Sequence, residues 1–527
     1  MTTTRRFLPT AGELLFARNE TAAASTSFPT LGGEARRLVP LGRRPRFSPD
    51  GNWIAYWIGS GSAGFLPPGS AKIYIMPSAG GASRELRPEF GAAGSPIWTP
   101  DSRHLLFLGN RDPKLLHEPV GGPLPAETQI DWWVTPLEDG PAVATGVNAA
   151  LRALGFVLLS QAPGAWISSG DGVLMSGTLA DTTNLWLVPI SPKTWKVSSA
   201  PRRLTLGTTL EVQPSPAAGN QVAFSSLQEN VNIWSLPIDA TRAKPTGGLQ
   251  RLTQDSVAQA SPAVSPDGKL LAFSSRRSGN RNIWLKDLVT GKETAVANAL
   301  WPRFYPVFSR DASRLAYLAN EKHARLIYVA SVAGGAPTRA CEGCGGPGGW
   351  SSDGKRLLYL EGSPPGISVL DLASGQRTAL LKHATYALDE AHFSQDDRWV
   401  CFNAVTPGRS RIFVAPVRGG GLVPEPEWLA ITDGRWDDKP RWSPDGNILY
   451  FVSERDGFRC IWAQRLSPGG KRPLGGAFPV IHAHEARRSL MSVGWGELQI
   501  SVARDKIVFN MSERTGNIWL VKLESEK

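Results

Sequence analysis

The sequence predicts an all-β chain of repeated four-stranded blades, a β-propeller. Three observations carry this reading. The tetrapeptide Ser-Pro-Asp-Gly recurs in identical form at Ser48–Gly51, Ser265–Gly268 and Ser443–Gly446. Looser copies of the surrounding block, aligned on Ser or Thr, fall at 48, 99, 168, 215, 265, 309, 351, 394, 443 and 501, in steps of 42 to 69 residues. Between copies the apolar residues alternate with period two, and no helical periodicity intervenes.

Each element of one repeat follows from its residues. An aromatic residue or Val before the Ser ends a first strand, as in PRFSPDG from Pro45, PIWTPDS from Pro96, PAVSPDG from Pro262 and PRWSPDG from Pro440. Pro-Asp-Gly then supplies a turn, with Pro presetting φ, Asp bonding its own backbone and Gly free to take φ > 0. The alternations Ile54-Ala55-Tyr56 and Leu271-Ala272-Phe273 predict a second strand. A third is predicted at Asn184-Leu185-Trp186, Asn232-Ile233-Trp234, Asn282-Ile283-Trp284 and Asn517-Ile518-Trp519. A polar turn such as Thr290-Gly291-Lys292 leads to a short fourth strand such as Arg251-Leu252-Thr253. The 19 Trp residues are expected between blades as core, where large flat side chains fill the gap, and not as a ligand cage.

These blocks resemble the WD40-like propeller repeats of the TolB type, often called PD40 after the Pro-Asp pair. The resemblance runs from about Gly12 to Leu523 and rests on the Ser-x-Asp-Gly turns and the Ile-Trp or Ile-Tyr third strands. It implies a non-catalytic interaction module that presents a funnel and a loop face to a protein or peptide partner. It is nearly silent about activity.

Ten motifs, with an eleventh hinted at by Gly12–Phe16, exceed the four to eight blades of one ring. Two propellers in tandem are therefore expected. Residues 1–253 would form a more divergent one, with blades centred near 48, 99, 168 and 215 plus a partial N-terminal blade. Residues 254–527 would form a regular six-motif ring. The Gly12–Phe16 segment reads as a second strand without a first, and the chain ends on a third strand. That leaves open the alternative that the two termini meet in one blade.

Composition bounds the answer. The chain is 41% hydrophobic and 20% charged, which excludes disorder. Its most apolar run, Ala153–Leu159, is far shorter than the roughly 20 residues a spanning helix needs. The N-terminal segment has no apolar core of a leader, so a cytoplasmic location is expected, with the periplasm as the alternative that the family resemblance implies. The net charge of +11 is spread among 46 acids, and only Arg36, Arg37, Arg43, Arg44 and Arg46 make a dense run. Specific nucleic-acid binding is not expected.

The search for chemistry returns little. Gly343, Gly345 and Gly348 spell GxGxxG, but Pro347 and a following strand end exclude the helix N-terminus that a dinucleotide needs. Nucleophile-elbow and kinase motifs are missing. The recurrent Asp50, Asp101, Asp267, Asp311, Asp353, Asp396 and Asp445 read as turn residues because they repeat once per blade. Cys401 and Cys460 read as small core residues, and Cys341-Glu342-Gly343-Cys344 lacks the second pair a zinc ribbon needs. His482-x-His484-Glu485 remains the sharpest constellation, a weak metal candidate better read as a surface loop. The expectation is thus no catalytic residue, no cofactor and no metal. The alternative is a hydrolase or lyase acting on a saccharide or peptide in a central funnel. The first strands, mostly Pro, Ala, Val and aromatic, weigh against it.

Overall fold

The computed structural model describes residues 36–39, 42–59, 71–111, 130–156 and 161–523, apart from 168, 181, 218–219, 297–299, 323, 407–408, 420, 435, 484 and 486, together with the strands Arg6–Phe7, Glu13–Arg18 and Ala24–Pro29. Its strands form ten antiparallel sheets, nine of four strands and one of seven. A typical blade runs Gln259–Val264, Leu270–Ser278, Asn280–Asp287, Glu293–Ala295, in chain order from innermost to outermost.

The repeated turn has one geometry. The Ser265 N–H donates to the Leu270 carbonyl at 2.9 Å, and the Gly268 N–H to the Ser265 carbonyl at 2.8 Å. The Ser265 hydroxyl donates to Asp267 Oδ1 at 2.5 Å, and the Lys269 N–H reaches the same oxygen at 3.1 Å. Asp50, Asp101, Asp311, Asp353, Asp396 and Asp445 accept the Ser or Thr hydroxyl two residues earlier in the same way. Gly51, Gly268 and Gly446 hold φ of 77°, 74° and 71°, where a Cβ would clash with the backbone.

Tryptophans before the motif Ser tie each blade to the one before it. Trp98 Nε1–H donates to the Arg46 carbonyl at 2.9 Å, Trp350 to Val307 at 3.0 Å and Trp442 to His392 at 2.9 Å. All three rings are buried, so each supplies apolar area and satisfies its own polar tip. The GxGxxG run has a packing cause. Gly343 turns at φ 73°, and a Cβ on Gly348 would lie 2.3 Å from the Ala391 carbonyl oxygen of the next blade.

The chain divides into two compact units, residues 1–229 with 514–527 and residues 230–513. In the second unit the innermost strands are Gln259–Val264, Arg303–Phe308, Pro347–Trp350, Ala387–Phe393, Asp437–Trp442 and Ile500–Val502. Each packs on the next and the last packs on the first, which closes a six-bladed ring. The sixth blade is assembled from distant segments: Ile500–Val502 pairs with 507–509, residues 230–239 supply the third strand and Gln250–Arg251 the fourth. Residues 230–253, assigned to the N-terminal half by motif counting, therefore lie in this unit. Tyr450 locks the segment after that third strand, donating its hydroxyl to the Ala240 carbonyl at 2.7 Å.

The first unit has innermost strands Arg6–Phe7, Arg43–Phe47, Ala92–Trp98, Pro163–Trp166 and Leu210–Ala217. In its last blade Leu210–Ala217 pairs with 221–227, and the chain's C-terminal strand lies alongside, with the Leu523 N–H on the Asn220 carbonyl at 2.7 Å. The Arg514 guanidinium and Glu229 carboxylate pair at 3.0 Å on that ladder. The alternative in which both termini share a blade is corrected: the N-terminal sheet carries its own first strand, Arg6–Phe7, and the C-terminal strand pairs with Gln221–Asp239. Among the described residues no helix is long and apolar enough to cross a membrane.

Candidate functional site

The innermost strands of the first five blades of the six-bladed unit each carry a bulge, seen as register shifts at 260/263, 304/307, 347/350, 389/392 and 438/441. A bulge bends its strand and re-aims a side chain. At four of them the residue four places before the motif Ser has left-handed backbone: Ser261 (φ 50°), Tyr305 (51°), Glu390 (55°) and Lys439 (58°). Arg44, Ser95 and Gln213 hold the same conformation in the first unit.

In the six-bladed unit these positions meet. Bonds between blades that are not neighbours show it, since only the axis brings such blades together. Tyr305 of the second blade donates its hydroxyl to the Gly496 carbonyl, just before the sixth innermost strand, at 2.9 Å. Gln499, entering the sixth blade, donates Nε2–H to Glu390 Oε1 of the fourth at 2.6 Å. From the fifth blade, Lys439 Nζ reaches Glu390 Oε1 at 2.7 Å, and Arg441 reaches Glu390 Oε2 at 2.9 Å and Gln499 Oε1 at 2.5 Å. Arg310 of the second blade spans to the Phe393 and Ser394 carbonyls of the fourth at 3.0 and 3.3 Å.

The electrostatics follow from burial and pairing. Burial opposes ionisation of Glu390, yet Lys439 and Arg441 overcome it and hold the carboxyl well below the usual range. Burial likewise opposes the Lys439 charge, and Asp438, Glu390 and Asp389 together raise it above its ordinary value. Asp389 is the odd group: burial first, then the Glu390 charge, push its carboxyl up to about 7. Burial and the nearby Arg441 lower the His392 imidazole well below its usual value, so it is neutral. Burial raises the Tyr305 phenol to about 12. His392 and Tyr305 are half-buried.

Two groups on the first innermost strand are open. Gln259 is fully buried, and neither its Nε2 nor its Oε1 has a hydrogen-bond partner; the Ser261 hydroxyl, 2% exposed as a residue, has none either. The same strand is held to the sixth blade's entry by the Ser261 N–H on the Glu497 carbonyl at 3.1 Å.

The residues singled out from sequence fall elsewhere. His482 follows the strand Pro473–Ile481 and faces Asp456, with Nδ1 and Oδ2 3.1 Å apart. Together with Cys460 these groups offer three metal-ligating atoms, all within 4.8 Å of one another. His484 lies outside the described residues. Cys401 and Cys460 are buried, as expected of core residues, and Cys341 and Cys344 are placed as a disulfide with Cα atoms 6.0 Å apart. The axial cluster itself was missed. The repeats quoted from Pro262, Pro306 and Pro440 begin one residue past Ser261, Tyr305 and Lys439; X in X-Pro-x-(Val or aromatic)-Ser was the available signal.

The closed ring, the repeated turn and the axial cluster define a β-propeller repeat protein. No family model matches the chain. Among curated proteins, an uncharacterized protein of Agrobacterium fabrum is 33% identical over 108 residues, which is 20% of this chain and 34% of that protein; the chain thus spans about a third of the relative it matches. Among solved structures, a putative TolB from Agrobacterium tumefaciens shares 20% identity over 55% of this chain and 99% of its own, with a TM-score of 0.43. TolB from Acinetobacter baumannii shares 14% over 66% and 80%, with a TM-score of 0.37. An oligogalacturonate lyase in complex with manganese shares 13% over 79% and 91%, with a TM-score of 0.28.

Proposed function

We propose that this protein is a non-catalytic binding module whose six-bladed unit receives an extended segment of a protein or peptide partner at the axis. The observation that carries the reading is the pair of buried groups without a hydrogen-bond partner at Gln259 and Ser261, on the innermost strand that is held to the sixth blade's entry by the Ser261 N–H on the Glu497 carbonyl. A buried polar group without a partner costs about 1–3 kcal/mol. A peptide bond offers one N–H and one carbonyl, the complement of a primary amide with both its donor and its acceptor free.

The test is random-peptide display on the full chain. Peptides selected against the native protein should bind at least about tenfold more weakly to Gln259→Leu, while that variant melts no lower than the parent. Failure to select any peptide, or selected peptides indifferent to Gln259→Leu, would sink the reading. The alternative enzyme, a hydrolase or lyase on a saccharide or peptide, draws on Asp389, whose carboxyl near 7 suits general acid–base work. Under that alternative Asp389→Asn abolishes turnover; under the binding reading there is no turnover to lose.

A further inference from the structure

We propose that Asp456, Cys460 and His482 form a binding site for a single zinc(II) ion at the edge of the fifth blade of the six-bladed unit. The site shares no residue with the axial cluster and does not rest on the binding role argued above.

Three consecutive strands of one sheet fix its geometry. Asp456 lies in the turn that joins Ile448–Ser453 to Cys460–Leu466. Cys460 opens the second of these strands, opposite Ser453. His482 follows Pro473–Ile481, which pairs with the strand of Cys460 so that Ile461 faces Ile481. Sheet register therefore brings a carboxylate, a thiol and an imidazole to one corner from three places in the sequence. The three donor atoms lie within 4.8 Å of one another, and the carboxylate and imidazole are already 3.1 Å apart. Tetrahedral zinc with bonds of about 2.0–2.3 Å sets neighbouring ligand atoms about 3.5 Å apart, so small side-chain rotations suffice.

The surroundings suit a metal site. The Ala483 N–H points at Cys460 Sγ at 3.4 Å and fixes the position of the sulfur. Trp462 presents its ring to His482 edge-to-face at 5.9 Å and limits the imidazole's rotation. The exposure is graded, with Cys460 buried, Asp456 18% and His482 49% exposed at the side chain. An ion can enter from solvent without unfolding, and a water can fill a fourth position. Thiolate with imidazole selects zinc over magnesium or calcium, which prefer all-oxygen sites. His482 also begins the segment that ends at Gly496, Glu497 and Gln499 on the axis, so zinc would fasten the start of the connection that delivers them.

The experiment is titration of the full, reduced chain with cobalt(II) as the spectroscopic stand-in for zinc. One equivalent should bind with the visible bands of a tetrahedral site and a near-ultraviolet thiolate-to-cobalt band, and zinc should abolish both. Cys460→Ser should lose the thiolate band. His482→Gln, a change at a half-exposed position, should weaken binding by more than the roughly 10–100-fold typical of losing an outer-shell partner. The double variant Cys341→Ser, Cys344→Ser should keep the spectrum. A native protein with no thiolate band, a band that survives Cys460→Ser, or an affinity unchanged by His482→Gln would each overturn the proposal.

Discussion

Lys439 Nζ and Glu390 Oε1 stand 2.7 Å apart at the axis of the six-bladed unit, their side chains only 5% and 10% exposed. Arg441 and Gln499 complete the carboxylate's shell, so the charge is paired and hydrogen-bonded on both oxygens. Removing one partner of such a pair leaves a buried charge uncompensated. Lys439→Met should lower stability by about 3–5 kcal/mol in urea unfolding. The double variant Glu390→Gln, Lys439→Met should recover part of that loss, because position 390 then carries no buried charge that needs the Lys439 ammonium. A Lys439→Met protein as stable as the parent would show that the cluster is solvated.

Asp389 gives the pH dependence a definite sign. Its folded pKa, about 7, lies above the roughly 3.9 of an unfolded Asp. Between these values the folded state binds more protons than the unfolded one, so stability falls as pH rises from about 4 to about 7. Asp389→Asn removes this group's share, and its stability should decline less than the parent's across that window. Parallel curves would place Asp389 in water.

The turn carboxylates act the other way. The Ser309 hydroxyl, then the Ser313 hydroxyl and backbone N–H, pull the Asp311 carboxyl down to about 2. Its stabilisation is present above the unfolded pKa and disappears as pH falls from about 4 to about 2. Asp267 sits in the same geometry, so Asp267→Ala should cost about 1 kcal/mol through the lost local hydrogen bonds. It should leave partner binding in the folded fraction unchanged. Lost binding at an unchanged melting temperature would assign these carboxylates to a site.

Strand exchange sets the boundary of the six-bladed unit. A fragment of residues 230–513 keeps the third strand of the sixth blade and should be a monomer with one sharp transition. A fragment of residues 254–513 lacks that strand, and its open edge should drive aggregation. Equal behaviour of the two fragments in analytical ultracentrifugation would mean that residues 230–253 do not close the ring.

The sequence by itself determined the blades. Ser-x-Asp-Gly makes its own turn from bonds within six residues, and period-two alternation declares which strand faces touch a core, so both are written locally. The Trp before the Ser announces an inter-blade contact because a large flat ring fills the gap between packed sheets. Only the tertiary structure decided which strands close a blade: Asn232–Trp234 and Asn517–Trp519 are nearly the same local sequence, and each completes a blade begun far away in the chain. The axial cluster was also beyond local reading. Glu390, Lys439, Arg441 and Gln499 lie up to 109 residues apart, and their chemistry exists only where the ring brings the fourth, fifth and sixth blades together. The corner of Asp456, Cys460 and His482 is of the same kind. Sheet register, a property of pairing and not of composition, places an unremarkable core cysteine beside a histidine 22 positions later.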